Sequence, residues 1–253
     1  GPEHSRSPDE ILKEAKNLIK NGVKEIILLG QNVNAYNYNN SGKKYNLSHL
    51  IMSLDNLKDL KRIRYTTSHP RDMTEDLINC HNSSTKLMPF LHLPVQSGSN
   101  NILKGMNRKH TREEYLSVVK RLKKTNSKMK FSSDFIVGYP GESEEDFNDT
   151  ISLIKEVKFI NSFSFIYNQR PGTPAAKLKS IDIPLQKKRL LTLQNLLENI
   201  QSKENYQEIG KIRQVLVENK LKNQSKFFGR TEYFTPVILS NTNKHDIGKI
   251  INV

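Results

Sequence analysis

Phe131-Ser132-Ser133-Asp134-Phe135-Ile136-Val137-Gly138-Tyr139-Pro140-Gly141-Glu142 runs as a strand of apolar and β-branched residues and stops at Gly138. Pro140 and Gly141 then turn the backbone, and Ser143 opens a helix. A strand that ends in glycine leaves a loop where backbone can approach a ligand closely. In a parallel α/β sheet such loops gather at the carboxyl ends of the strands, where ligands bind. An ordinary strand-to-helix connection would use the same turn residues, but three other strands of this chain end in the same way.

Working outward toward the N-terminus, Thr111-Arg112-Glu113-Glu114 is a capping box that opens a helix with Tyr115, Val118, Val119 and Leu122 inward. A short helix from Asn100 to Met106 precedes it. Upstream, the strand Phe90-Leu91-His92-Leu93 exits at Pro94-Val95-Gln96-Ser97-Gly98-Ser99, and the strand Arg62 to Thr67 exits at Ser68-His69-Pro70-Arg71. Helices are expected around Glu75 to Cys80 and from Leu47 to Leu54. The strand Glu25 to Leu29 closes at Gly30-Gln31-Asn32-Val33-Asn34, and a polar loop covers Asn37 to Lys44. At the start, Ser7 and Glu10 form a capping box with Pro8 at the first helical position; Ile11, Ala15, Leu18 and Ile19 make the apolar stripe and Gly22 ends the helix.

Toward the C-terminus, a helix from Glu144 to Val157 leads to the strand Phe159 to Ile166. This alternation is the signature of right-handed β/α units around a parallel sheet. The fold class is therefore α/β, a partial parallel β/α barrel of TIM-like type. Because the chain opens on a helix, the strand that would precede it is expected upstream. Composition changes after Pro184: Gln186 to Tyr206 reads as one long helix with Leu190, Leu193, Leu196, Leu197 and Ile200 on its apolar side. Short strands follow at Ile212 to Glu218, Phe227 to Thr231, Thr235 to Leu239 and Gly248 to Val253, suggesting a small antiparallel β-barrel cut short at the last residue. The domain division is thus 1–183 for the β/α barrel, 184–205 for a linking helix and 206–253 for the terminal barrel.

A chain of 253 residues holds one sizeable domain, or one domain and a small module. Lys and Arg outnumber Asp and Glu by 40 to 26, a formal charge of +14, which favours a phosphate-rich partner such as RNA; mere solvation of a basic surface is the plain alternative. No apolar run is long enough to span a membrane. The single cysteine, Cys80, excludes a disulfide framework and any site built from several thiolates of this chain, and it fits a reducing cytoplasm.

The strand exits line up Gln31 and Asn32, His69 and Arg71, His92 with Gln96 and Ser97, Asp134 with Gly138 and Glu142, and Asn168-Gln169-Arg170-Pro171-Gly172-Thr173. Amides and hydroxyls of this kind can hold an amino-acid head group and a ribose, while Gly98 and Gly138 leave room for backbone against a flat base. A nucleoside cofactor suits such a rim. Neither a P-loop nor a GxGxxG fingerprint is present, so ATP and NAD lack a motif. His69 and His92 read as general bases or metal ligands, or as hydrogen-bonded structural residues. Arg170 either clamps a carboxylate or phosphate or ties down its loop. Asp134 either accepts from ribose hydroxyls or pairs with a buried cation. Cys80 reads as a buried thiol without a histidine partner. Lys120, Arg121, Lys123 and Lys124 sit at a helix end where the dipole accounts for them.

Gly30-Gln31-Asn32-Val33-Asn34-Ala35-Tyr36, Thr67-Ser68-His69-Pro70, Leu91 to Ser99, Ser133 to Glu142 and Arg170-Pro171-Gly172-Thr173-Pro174-Ala175 together resemble the radical S-adenosylmethionine methylthiotransferases, most closely their tRNA-modifying branch. The likeness runs through nearly the whole chain in the right order. It implies an enzyme that adds a methylthio group to carbon 2 of isopentenylated adenosine beside the tRNA anticodon. In the family one 4Fe–4S cluster cleaves S-adenosylmethionine to a 5′-deoxyadenosyl radical and a second takes part in sulfur donation. The resemblance implies cofactor contacts at Gln31, Asn32, Gln96, Ser97, Gly98, Asp134 and Gly138. On the substrate side it implies Arg170 and, in a TRAM-like RNA-binding terminal module, Arg213, Lys226, Phe228 and Arg230. Aromatics beside cations can stack on RNA; in so small a barrel they equally serve as core.

The chain departs from the family in one respect. The CxxxCxxC loop that holds the radical cluster would precede Gly1, and the cysteines of the auxiliary cluster belong to a separate upstream domain. The segment is therefore expected to hold no catalytic residue or metal of its own and to be inactive alone, while the parent protein is a cytoplasmic, monomeric tRNA methylthiotransferase without a membrane anchor. The sources of sulfur and electrons, and which tRNAs are bound, are not written in the sequence. A ribosomal-protein aspartate methylthiotransferase and a non-catalytic RNA-binding remnant are the alternatives.

Overall fold

A computed structural model describes residues 4–222, 225–240 and 242–253. In chain order the elements are α1 (Pro8–Lys20), β1 (Glu25–Leu28), β2 (Asn37–Asn40), β3 (Lys43–Asn46), α2 (Leu47–Asp55), β4 (Arg62–Tyr65), α3 (Glu75–Ser83), β5 (Phe90–His92), α4 (Asn100–Gly105), α5 (Arg112–Thr125), β6 (Lys130–Val137), α6 (Glu144–Val157), β7 (Asn161–Ile166), α7 (Ile183–Glu208), β8 (Gln214–Lys220), β9 (Phe227–Thr231), β10 (Pro236–Leu239) and β11 (Ile250–Asn252). No helix among the described residues is long and apolar enough to cross a membrane. Two compact units form: one from Gly1–Thr66, Thr74–Leu91 and Gly210–Val253, the other from Thr67–Met73 and His92–Ile209.

In the first unit, β1 and β4 pair in parallel with Glu25 opposite Arg62 and Leu28 opposite Tyr65, and Leu87 adds a parallel bridge at Ile63. All four residues of β4 are buried. Two of them are arginines. Arg62 donates from Nη1 to the Arg230 carbonyl and from Nη2 to the Gln214 carbonyl, both at 2.7 Å. Arg64 donates to the carbonyls of Glu232 (2.9 Å) and Thr231 (3.0 Å) and pairs through Nε with Glu25 at 3.1 Å. Burial lowers the pKa of both guanidiniums, so these acceptors are what make a doubly charged strand tolerable. Glu232 lies in the turn just after β9, and the other three carbonyls belong to an antiparallel sheet ordered β10-β9-β8-β11. Its inner face packs Val215, Val217, Phe227 and Leu239, with Val237 and Ile251 against them. Gly229 has no side chain because a Cβ there would lie 2.6 Å from Val215 Cγ1.

One expectation fails here. Asn37 to Lys44 is not a loop: β2 and β3 form a separate two-stranded ribbon, Tyr38 opposite Tyr45 and Asn40 opposite Lys43. Ser41 (φ 49°) and Gly42 (φ 86°) make its two-residue turn, the left-handed pair that suits a tight hairpin.

The second unit carries β6 and β7, neighbours in the sheet ordered β5-β6-β7. β6 and β7 are parallel, Ser132 opposite Asn161 and Val137 opposite Ile166. Both capping boxes read from the sequence are made, at Ser7 and at Thr111, and Ser143 forms a third with Asp146. Tyr115, Phe131, Phe135 and Phe159 are fully buried, and α7 lays Leu193 and Leu197 inward.

Candidate nucleoside-cofactor cleft

The exit of β5 is held down by β6. Leu93 N–H donates to the Ser132 carbonyl, Gln96 N–H to the Asp134 carbonyl at 3.0 Å, and Ile136 N–H to the Gln96 carbonyl at 2.9 Å. Gln96 has φ +74° while 7% exposed, a backbone state that costs a non-glycine residue about 1–2 kcal/mol and persists only where neighbours fix it. Ser97 is wholly buried; its hydroxyl accepts from Ser99 N–H and lies 3.2 Å from Thr150 Oγ1. Ser99 caps α4 and donates to Asp146 at 2.5 Å. Burial alone would raise the Asp146 pKa, but hydrogen bonds from Ser99, Ser143 and Asn101 outweigh it and the carboxyl is lowered.

The two glycines have different reasons to lack a side chain. At Gly98 a Cβ would stand 2.5 Å from the Asp149 carbonyl oxygen and 2.6 Å from Thr150 Cα. Its N–H donates to Thr150 Oγ1 at 2.9 Å, so the glycine lets the β5 loop lie on the backbone of α6. Gly138 has φ +73° and a Cβ would meet Gln186 Cγ at 2.7 Å. Both of its polar groups are partnered: N–H donates to Glu142 Oε1 (3.1 Å), and the carbonyl accepts from Gln186 Nε2 (3.1 Å). Glu142, 6% exposed, is in turn bound by Arg189 Nη1 at 2.8 Å. Burial raises its pKa despite that guanidinium. The opening stretch thus ends in a locked turn whose partners come from α7.

Beyond this turn opens a cleft of about 820 Å³. Its floor is Tyr139 and Tyr167, ring centroids 5.0 Å apart and near edge-on, packed with Ile102, Met106 and Ala175. Tyr139 donates to the Gly105 carbonyl at 2.5 Å. Phe165, Asn107, Asn168, Thr173, Arg108 and Arg170 complete the wall. Arg170 is exposed at its mouth, and its carbonyl accepts from Thr173 Oγ1 at 2.8 Å. Arg108 is half-buried; desolvation lowers its pKa and the charge of Asp134 opposes the shift. Asp134 faces His92 Nε2 at 3.6 Å, and His92 Nδ1 is 2.8 Å from Ser132 Oγ. His69 stacks edge-on against buried His110, centroids 5.2 Å apart, and burial lowers both imidazoles, His110 to about 4.

Arg108 and Arg170 therefore line the same cleft, while Ser97 and Gly98 lie against Thr150 and Asp149 of α6. Sequence reasoning missed Arg108, Tyr139 and Tyr167. A readable signal for Arg108 was its place just after the Gly105-Met106-Asn107 end of a short helix.

Gln31 and Asn32 lie in the first unit, between β1 and a short 3₁₀ turn at Val33–Ala35. Gln31 is exposed and Asn34 is 7% exposed. On the terminal sheet, Arg230 pairs with Glu218 and lies over the rings of Phe228 (4.9 Å) and Phe234 (4.8 Å). Arg213 pairs with Glu232 at 3.5 Å and lies over Tyr233. Lys226 is exposed; Phe227 points into the core and Phe228 away from it.

A family model described as the radical SAM superfamily matches residues 1–154, more than half of the chain. The chain belongs to the radical SAM superfamily. Membership implies S-adenosylmethionine and iron–sulfur chemistry. This radical SAM chain is similar to tRNA-2-methylthio-N(6)-dimethylallyladenosine synthases: 59% identical over 253 residues to that of Pelagibacter ubique (strain HTCC1062) and 49% over 255 to that of Wolbachia pipientis subsp. Culex pipiens (strain wPip). All of the chain is covered in both, but only 56% and 58% of the relatives, so it spans just over half their length. Among solved structures, the cobalamin-dependent S-adenosylmethionine radical enzyme OxsB matches 95% of this radical SAM chain and 35% of its own, at 13% identity and a TM-score of 0.48.

Proposed function

We propose that the protein carrying this chain is a tRNA methylthiotransferase that adds a methylthio group to carbon 2 of isopentenylated adenosine next to the anticodon, by radical S-adenosylmethionine chemistry. The observation that carries the reading is 59% identity along the whole chain to a relative of that name. The cleft supports it. Its volume lies within the range of small-molecule sites, Arg108 offers a guanidinium for a carboxylate, Asn107, Asn168 and Thr173 offer amides and a hydroxyl for ribose, and the Tyr139, Phe165 and Tyr167 rings offer faces for adenine. S-adenosylmethionine, when bound, supplies the radical; these residues orient it and keep water from its base. In the same reading Gln31, Asn32, Gln96, Asp134 and Gly138 belong to the cofactor side, and Arg170 to the substrate side.

The iron–sulfur clusters, two in this reading, do not fit these residues. Among the described residues no group of three or more His, Cys, Asp or Glu could hold a metal, and Cys80 is buried, burial pushing its thiol up to about 11. Cluster thiolates therefore come from outside these 253 residues. The sheet β10-β9-β8-β11 belongs to a TRAM-like RNA-binding barrel, with Arg213, Lys226, Phe228 and Arg230 toward tRNA. The protein works as a cytoplasmic monomer. Deleting the gene and measuring tRNA nucleosides by mass spectrometry tests the whole: loss of the 2-methylthio group with accumulation of the isopentenylated nucleoside is the expected result, and an unchanged nucleoside profile refutes it.

A further inference from the structure

The ribbon of β2 and β3 has no part in the cleft described above. It forms a sheet of its own, with neither outer edge paired to another strand among the described residues. A two-stranded hairpin alone is marginal in water, so its persistence calls for anchors. They lie at its base: Tyr36 Oη donates to the Arg6 carbonyl (2.8 Å), Asn37 N–H to Ser5 Oγ (3.2 Å), and Asn46 caps α2 while its amide donates to Asp76. The base is fixed and the tip, Asn39 to Lys44, is exposed.

Strand alternation and register put Tyr38, Asn40, Lys43 and Tyr45 on one face, with Asn39 and Lys44 on the other. The two tyrosine rings are 6.4 Å apart and tilted by 49° rather than stacked, so their faces are not spent on each other, and Lys43 Nζ stands 5.1 Å from the Tyr45 centroid. No Asp or Glu occurs between Tyr36 and Asp55. Exposed amides, two cations and two aromatic rings with no acid in their own stretch of sequence suit a chain of bases and phosphates; a protein partner that used the open edges would need none of these lysines and tyrosines.

We propose that this ribbon is a single-stranded RNA contact in which Tyr38 and Tyr45 stack on bases while Lys43 and Lys44 neutralise phosphates. The inference rests on the RNA substrate class proposed above and adds a surface to it.

The test uses the full-length, cluster-loaded protein and a fluorescein-labelled tRNA transcript, with affinity read by anisotropy between about 50 and 200 mM salt. Lys43→Ala with Lys44→Ala is expected to weaken binding and flatten the slope of log K against log salt by about 1.4, two single-strand phosphate contacts' worth. Tyr38→Ala with Tyr45→Ala is expected to weaken binding by about 30-fold or more at an unchanged slope, and the Phe pair at the same positions to bind as wild type. Wild-type affinity and slope in both the lysine and the alanine variants overturn the ribbon while leaving the tRNA substrate standing. If those variants instead alter only self-association or protein capture, the ribbon is a protein contact and the proposal falls. A wild-type protein that binds no tRNA overturns both readings together. The lysine pair lies outside any packed core, so that arm stands whether or not the tyrosine variants fold.

Discussion

Replacing Gly98 by alanine places a methyl group 2.5 Å from the Asp149 carbonyl oxygen and 2.6 Å from Thr150 Cα. Those atoms are helix backbone and cannot rotate away as a flexible side-chain end would. Either the β5 loop lifts from α6 or the helix shifts, and overpacking of this kind costs about 1–3 kcal/mol. Lifting the loop also lengthens the 2.9 Å bond from Gly98 N–H to Thr150 Oγ1, worth about 1 kcal/mol more. The sum is about 2–4 kcal/mol, which at ordinary urea dependence lowers the unfolding midpoint by about 1–2 M. Urea titration of the full-length protein followed by circular dichroism reads this directly, with S-adenosylmethionine affinity measured on the folded fraction. A G98A protein as stable as wild type but unable to bind the cofactor would refute the packing argument and return Gly98 to the ligand side.

Gly138→Ala meets a side chain instead of backbone, so its cost divides: about 1–2 kcal/mol for a non-glycine residue at φ +73°, plus a clash with Gln186 that Gln186→Ala should relieve; a double-mutant cycle in thermal melting shows no coupling if that division is wrong. Arg189→Met leaves Glu142 buried with Gly138 N–H as its remaining donor and should cost about 3–5 kcal/mol at neutral pH. Glu142 already has a raised folded pKa, so its ionised form costs stability as pH rises above the unfolded value. The R189M penalty should therefore shrink in acid and be partly recovered by adding Glu142→Gln; equal penalties at pH 4 and pH 8 would contradict it. His81 is buried, 2.7 Å from Tyr65 Oη, and burial lowers its pKa to about 4. An imidazole lowered on folding stabilises fully above about 6.5 and loses that contribution as pH falls toward 4, a loss of roughly 3 kcal/mol. His81→Phe should flatten the acid limb of the stability profile, and an unaltered limb would count against the assignment.

The helices were legible where side chains close to their own backbone. Ser7 with Glu10 and Thr111 with Glu114 are three residues apart, so sequence contains both partners, and both boxes are made. Parallel strands were legible from apolar runs ending at turn residues, and β6 starts one residue earlier than expected. The ribbon was not legible, because neither of its faces is buried and period-two alternation of hydrophobicity has nothing to enforce it; Ser41-Gly42 then reads as loop. The site was half legible. That turns follow the strands at Gly98 and Gly138 was readable, but why these positions are glycines depends on Thr150 and Gln186, each about fifty residues away in sequence. Arg189 was hidden in the same way, a cation in an apolar helical stripe explained by its bonds to Glu142 and Glu144.

The arginines of β4 also bear on the order in which the chain is made. Arg62 and Arg64 find their carbonyl acceptors 152 to 168 residues further along. Synthesis runs from the N-terminus, with each domain folding once its residues have emerged. The second unit has all its residues on hand by Ile209, whereas β4 must wait for its carbonyl acceptors, with Glu25 beside Arg64 already made, until Gln214 to Glu232 leave the ribosome. A nascent chain stalled before Gly210 should therefore protect α5, β6 and α6 from protease while Arg62 to Tyr65 remains cleavable. Completion of the first unit is timed by its last-made strands, and because those strands are recognised through main-chain oxygens, their spacing matters more than the side chains they carry.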